Sequence, residues 1–455
     1  MSALDYFNET YLRDYYRKNI LKKKGGGRDK LTPEKFLENY GKDFGIIAEQ
    51  CLNGTYRFSY YNEKLLLKGR KKYPRVISVP SIRDRLVLGV LNDYISSVFE
   101  DCVNHKVPNK LMAEIIDYMG QFEGDITFLR TDFHDFYGTI YIKILMNMLS
   151  SRISDRNIIK IINKAITTPT VSGHKPHGEI MSNKQGIPQG LAISNILASI
   201  YMLSFDNEFG ANSAGLYIRY VDDILFVNPK NAGLKASMLK EIKKRNLRLR
   251  LKTEKCKSGV VGLNSFDFIG YVIKDKNHVF IRESNVTNFL NRISAMASRF
   301  KEGYEKKDVR PQFIKGDQAY IEYYIEDFNQ SISGFRYGKH LYGWMPYYQA
   351  VTDVSSLYGM DRVIKNRILK GLPSELVSHI NSLVDTYYAI RRQGGGSFVK
   401  NYDSLQTIAE KKKYLMHRGR IDCNREYTDD QINQYFNSYM AYMIIRAEKN
   451  IGERS

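Results

Sequence analysis

Two aspartates, Asp222 and Asp223, stand side by side in YIRYVDDILFV, residues 217–227. Adjacent carboxylates repel unless a cation neutralises them. Asp is equally at home in a solvated turn, so the pair alone decides little. The flanks decide more. Tyr220 and Val221 on one side, and Ile224, Leu225, Phe226 and Val227 on the other, read as two buried strands joined by a turn. Buried strands hold a turn rigidly, which a metal site needs. A third carboxylate, Asp132, closes the apolar run DITFLRTDF, and Asp135 follows shortly after it. An all-oxygen donor set suits Mg²⁺, with Mn²⁺ as the alternative, better than zinc. Three carboxylates from two strands have the donors for two ions about 3.5–4 Å apart, a geometry for displacement at phosphorus. One ion acidifies an attacking hydroxyl, and the other neutralises the leaving oxygens.

The elements that must position these groups follow from pattern. YPRVISVPSIRDRLVLGVLNDYISSVFED reads as a strand up to Val79, a proline turn, and an amphipathic helix from about Ile82. Thr32, Pro33 and Glu34 spell a helix start. Ile196, Leu197, Ile200, Tyr201 and Leu203 have helical spacing, and FDFIGYVI reads as a strand. Strands and helices mix from Asp125 to Ile273; beyond about 281 the pattern is mostly helical, broken near YGWMPYY and RRQGGGSF. The expectation is an α+β protein with helical flanks.

Composition narrows the partners. The 455 residues carry 69 Lys and Arg against 49 Asp and Glu, a formal charge of +20, and 43% hydrophobic residues. That much apolar content excludes a disordered chain. The positive surplus favours a polyanion, nucleic acid first. No run of about 18 apolar residues spans a bilayer, so no membrane partner is expected. The N-terminus lacks the apolar segment of a signal peptide. Cys51, Cys102, Cys256 and Cys423 form no CxxC pair, as fits a reducing cytoplasm. The 34 tyrosines read mainly as core residues and secondarily as base-stacking platforms.

TDFHDFYGTI, GIPQGLAISNILASIYM, YVDD, LRLKTEKCK and FDFIGY occur in the order of the palm motifs of reverse transcriptases. The chain resembles bacterial reverse transcriptases related to the group II intron and retron enzymes, closest in style to the defence-associated, abortive-infection type. The likeness covers about residues 25–280. It implies a right-hand polymerase: an N-terminal region and fingers over 1–124, a palm with an antiparallel sheet over 125–280, and a mostly helical thumb and C-terminal extension over 281–455. It also implies an RNA-directed DNA polymerase using dNTPs and two Mg²⁺ ions. Its partners would be an RNA template (a dedicated non-coding RNA) and the DNA product, and its role phage defence. Such relatives often assemble with copies of themselves or with a partner protein.

Roles carry over residue by residue. Asp132, Asp222 and Asp223 become catalytic metal ligands, with the carbonyl of Phe133 adding an oxygen. Tyr137 falls on the aromatic steric gate, where a ring would collide with a ribose 2′-hydroxyl. Val221, where RNA-making relatives usually have Gly, points the same way. Gln189 would meet the template strand, and Gly190 permits close backbone approach. Arg75 matches a triphosphate-binding arginine of the fingers. Lys255 falls where the family has a lysine suited to protonating pyrophosphate. Of Arg83 and Arg85, one is expected to make a structural ion pair with Asp84 or a palm acid. KKRNLRLRLKTEKCK, 243–257, ordinarily reads as a solvated helix face. FDFIGY resembles the primer grip. One departure is plain: the family follows the motif serine with proline, whereas Ser194 here precedes Asn195.

Residues 281–455 match no family signature motif by motif. NVTNFLNRISAMASRFKEGYEKKDVR suits a basic thumb helix, and Trp344 reads as a core anchor. Two rival readings stand beside the main one. One is a DNA polymerase that needs no RNA template and starts on a protein hydroxyl. The other is a maturase-like RNA-binding protein with a relic palm, against which the intact carboxylates argue.

Overall fold

The computed structural model describes residues 2–21, 27–66, 73–103, 107–172, 182–211, 215–228, 234–245, 247–252, 254 and 256–451. The protein is α+β. Its strands are β1 (Tyr61–Leu66), β2 (Arg75–Val79), β3 (Thr127–Asp132), β4 (Thr170–Val171), β5 (Leu216–Tyr220), β6 (Asp223–Asn228), β7 (Lys257–Val260), β8 (Phe266–Phe268), β9 (Tyr271–Ile273), β10 (Val279–Ile281), β11 (Phe335–Tyr337), β12 (His340–Tyr342) and β13 (Lys400–Asn401). The sheet orders are β2-β1-β4, β5-β6-β3-β7, β10-β9-β8 and β12-β11-β13. In the four-stranded sheet, β5 pairs with β6 and β3 with β7, both antiparallel. Among the described residues, no helix is long and apolar enough to cross a membrane.

The chain divides into two compact units, Met1–His105 with Thr131–Cys256, and Lys106–Arg130 with Lys257–Ser455. In the first unit the helix Ile82–Val98 starts where the proline turn predicts. Ser81 caps it, its hydroxyl accepting from the Asp84 amide at 3.2 Å. The middle of the helix, 86–91, is apolar and buried on every side, with Leu86, Val87, Leu88, Val90 and Leu91 inaccessible, and the polar residues stand nearer its ends. Asp84 is buried too, and accepts from Tyr56 at 2.7 Å, the Ser59 amide at 3.0 Å and Ser81 at 2.8 Å. Those donors satisfy a charge that burial would otherwise penalise. Arg83 stands 3.9 Å from Asp84, donates to the Arg57 carbonyl and lies over the Tyr56 ring. It makes the ion pair with Asp84 that the sequence suggests.

The basic run 243–257 is not a helix face. The helix Leu234–Lys244 ends as the run begins. Leu247 and Leu249 are buried while Arg248 and Arg250 are exposed, an alternation of period two. Leu251 bridges to Phe133, with His134 N–H donating to Arg250 and Lys252 N–H to Asp132. Alternating leucines, invisible beneath the charge count, turn this segment into an extended edge.

In the second unit FDFIGYVI, whose pattern reads as one strand, is instead a hairpin of β8 and β9, with Phe268 paired to Tyr271. The turn residues Ile269 and Gly270 both have positive φ, 40° and 87°. The helix Glu283–Glu305 buries Phe289, Ile293, Met296 and Phe300. Trp344 is buried and stacks on Phe289 at 4.2 Å, a core anchor as its sequence suggests. Tyrosine serves the core repeatedly: Tyr271, Tyr320, Tyr348 and Tyr402 are fully buried. Tyr402 and Tyr414 donate to the half-buried Glu326, at 3.0 and 2.7 Å, beside Lys400 at 2.8 Å.

Candidate active site

Asp132 and Asp223 lie on neighbouring strands, β3 and β6. Asp132 is the last residue of β3 and is 3% exposed. Asp223 is not at the hairpin tip: it opens β6, pairs with Tyr220 and is 0% exposed. Asp222 shares the two-residue turn with Val221 and is half-buried. All six residues of β6 are buried. This explains why the sequence after Asp223 is continuously apolar rather than alternating.

Val221 has φ of 61°. Positive φ at the first turn residue and not the second is the pattern of a type II′ hairpin, whose first position is normally glycine. A β-branched residue there is a genuine outlier, worth about 1–3 kcal/mol of local strain. A clamp holds it. Arg219 donates from Nη1 to the Val221 carbonyl at 2.8 Å and from Nε to both Asp206 oxygens at 2.9 and 3.0 Å. Tyr217 donates to the same carboxylate at 2.7 Å. Asp206 belongs to the helix Ser194–Ala211, so the turn is tied to that helix. Burial works against the Arg219 charge, but Asp206 outweighs it and holds the guanidinium above its usual range. Neither Asp206 nor Arg219 stood out in the sequence. The available signal was an acid following the apolar part of a helix and an arginine among the apolar and aromatic residues of a strand.

Tyr137 lies in the short helix Phe136–Thr139, just beyond Asp132. Its hydroxyl donates to Asn195 Oδ1 at 2.6 Å. Burial first, then the charge of Asp222, pushes its phenol up to about 12, while Arg75 and Arg219 pull the other way. Asp222 and Arg75 are thus each within electrostatic reach of Tyr137. Arg75 opens β2 and is exposed, as a phosphate-binding guanidinium needs to be.

The segment 186–195 is fastened to its surroundings at several points. Ile187 N–H donates to the Tyr137 carbonyl at 2.9 Å, and Ser78 N–H to the Gln189 carbonyl at 2.7 Å. Ser194 Oγ donates to the Pro188 carbonyl at 2.6 Å. Gly190 has φ of 101°, and a Cβ there would meet Ile77 Cγ2 at 2.7 Å and the Ser78 carbonyl at 3.0 Å. The close approach this glycine allows is to β2. Gln189 is half-buried beside it. Lys255 lies outside the described residues.

The donor chemistry here is carboxylate and carbonyl oxygen. Phe133 sits in a non-hydrogen-bonded pair with Leu251, because the neighbouring residues make the ladder bonds, so its carbonyl faces away from that strand. Among the described residues, no three His, Cys, Asp or Glu side chains converge as a cage. Oxygen donors of this kind suit a hard divalent ion.

Residues 66–273 match the family model described as "Reverse transcriptase (RNA-dependent DNA polymerase)". The chain therefore carries a reverse transcriptase domain, the nucleotidyltransferase domain of RNA-directed DNA polymerases. It is 24% identical over 174 residues to Protein YkfC of Escherichia coli K12, covering 35% of this chain and 44% of that protein. It is 27% identical over 143 residues to an uncharacterized 91 kDa protein in a cob intron of Schizosaccharomyces pombe, covering 30% of this chain and 17% of that one. The chain thus spans less than half the length of these curated relatives. Among solved structures, telomerase of Candida albicans in complex with a fragment of telomeric RNA aligns over 79% of this chain and 69% of its own, at 13% identity and TM-score 0.44. Apo telomerase of Candida tropicalis aligns over 84% and 69%, at 12% identity and TM-score 0.43.

Proposed function

We propose that this protein is an RNA-directed DNA polymerase that extends a 3′-hydroxyl with dNTPs. The observation that supports the reading is that Asp132 and Asp223 lie on neighbouring strands, β3 and β6, within the stretch that matches the reverse transcriptase model. Asp132, Asp222, Asp223 and the Phe133 carbonyl would hold the divalent ions, which neutralise the triphosphate and acidify the primer hydroxyl. The protein's own contribution is position. The hairpin and β3 hold the carboxylates, Arg75 offers a bidentate donor for phosphate, and Tyr137 offers a ring against the ribose. Gly190 keeps the Gln189 segment close to β2, so that Gln189 is set beside the template strand. Lys255 is proposed as the proton donor to pyrophosphate.

The template is proposed to be a dedicated non-coding RNA, bound through its A-form backbone by the +20 surface. The role is proposed to be phage defence, as the likeness of the Ser194-Asn195 motif suggests. The direct test is primer extension with dNTPs and Mg²⁺ on an RNA template, with and without ribonuclease pretreatment. Product that requires intact RNA and disappears in Asp222→Asn is the expected result. Product that survives complete RNA removal refutes RNA templating. Full activity in Asp222→Asn refutes the site. Sequencing nucleic acid copurified from phage-infected cells tests the template and the defence role together.

A further inference from the structure

Tyr137 is held at two points by one segment. Its backbone carbonyl accepts from the Ile187 amide at 2.9 Å. Its side-chain hydroxyl donates to Asn195 Oδ1 at 2.6 Å. Behind it the buried Phe136 ring packs edge-on at 5.6 Å, and Phe133 stacks on Phe136 at 5.5 Å. A tyrosine has two side-chain torsions, and a hydrogen bond at its far end fixes the ring against both. Asn195 is itself placed by its element. It is the second residue of the helix Ser194–Ala211, and Ser194 locks that helix start to the Pro188 carbonyl. Farther along the same helix, Asp206 anchors Arg219 and, through it, the Val221 carbonyl. One helix therefore sets both the Tyr137 ring and the carboxylate turn.

We infer that Asn195 is a positioning residue for ribose discrimination: its side-chain oxygen holds the Tyr137 ring where an incoming ribonucleotide's 2′-hydroxyl would collide. The inference rests on the polymerase reading and deepens it. A ring free to swing yields to a 2′-hydroxyl; a ring pinned at its hydroxyl does not. A proline at position 195 would remove the acceptor without disturbing the helix start, because first-turn amides have no intrahelical partner. The helix thus tolerates either residue, and the asparagine adds a contact that proline cannot make.

The test measures kcat/KM for a dNTP and for the matching rNTP, on the same primer and template. The ratio of the two cancels differences in folded fraction between variants. Asn195→Ala and Asn195→Pro are each expected to lower the dNTP preference roughly three- to tenfold, the equivalent of one neutral hydrogen bond. The loss should come from better rNTP use rather than poorer dNTP use. Tyr137→Phe keeps the ring and loses the link, and should lower the ratio equally. Combining Tyr137→Phe with Asn195→Ala should lower it no further. Asn195→Asp keeps an acceptor oxygen and should stay within about twofold of wild type. A ratio unchanged in both Asn195→Ala and Asn195→Pro overturns the inference, as does full additivity with Tyr137→Phe. Failure of the polymerase reading looks different: the wild type then incorporates no nucleotide at all. A wild type that is active but accepts rNTPs and dNTPs alike overturns the gate role of Tyr137 and this inference with it.

Discussion

Asp206→Asn removes the anion that anchors the carboxylate turn and leaves the Arg219 guanidinium in place. The two side chains are only 22% and 11% exposed, so solvent replaces little of what is lost. Removing one partner of a buried pair typically costs about 3–5 kcal/mol, because the other charge stays buried. The partial exposure of Asp206 places this site at the low end, about 3 kcal/mol. Asparagine keeps one acceptor oxygen, which can still serve Tyr217 and Arg219 as Asp206 Oδ1 does, but it loses the negative charge and the second acceptor oxygen, Oδ2, that Arg219 Nε also reaches. Tyr217→Phe, by comparison, deletes a single hydrogen bond and should cost about 1 kcal/mol. Replacing both charges, Asp206→Leu with Arg219→Met, should cost less than either single change, since no buried charge is stranded. The assay is urea unfolding followed by a probe in the first unit, arranged as a double-mutant cycle. Activity adds a second readout. Arg219 also holds the Val221 carbonyl at 2.8 Å, so a loosened Arg219 shifts Asp222, and kcat should fall about tenfold or more. The reasoning fails if Asp206→Asn unfolds within about 0.5 kcal/mol of wild type, or if the double variant loses the sum of the two singles.

Val221→Gly should release about 1–3 kcal/mol of local strain against an entropic penalty of about 0.5–1 kcal/mol, a net stabilisation between zero and about 2.5 kcal/mol. A melting temperature that drops by several degrees would contradict the strain at φ of 61°. Free Mg²⁺ should bind weakly to the protein alone and much more tightly once a dNTP and primer–template are present, as titration calorimetry can report. Tight binding without nucleotide would mean that a carboxylate cage forms after all. The Tyr137 phenol is raised to about 12, so it stays a protonated donor to Asn195 throughout the neutral and mildly alkaline range. Nucleotide discrimination should accordingly be flat between about pH 7 and 9. The sign for stability follows from the raised value: its contribution is complete below the unfolded tyrosine pKa of about 10 and declines as pH rises through the folded value. A discrimination ratio that titrates near neutrality would refute this assignment.

Much of the site was legible because its signals are local. The turn between two apolar strands followed from the run on either side of Asp222 and Asp223, and Asp132 marked a strand end by the apolar residues before it. The helix from Ile82 was set by its cap and proline turn. These features depend on neighbours in sequence, where periodicity and capping act directly. The segment 247–251 was obscured for a local reason too: eight basic residues in the surrounding stretch outweigh three alternating leucines in any charge count.

What only the tertiary structure decided concerns pairs far apart in the chain. That Asp223 is buried in β6 while Asp222 is half-buried in the turn depends on the pairing of Tyr220 with Asp223. That Gly190 makes room for β2, and that Asp206 anchors Arg219, depends on packing that no spacing encodes. The bond from Tyr137 to Asn195 joins residues 58 positions apart. In the sequence, Asn195 is merely an asparagine where proline is usual. It acquires a role only when the helix it begins is laid against the short turn after Asp132. Local patterns thus determined which groups this protein carries, because strand, turn and cap preferences are short-range. Their partners were decided by folding, because a hydrogen bond needs two atoms within about 3 Å and sequence separation places no limit on which two meet.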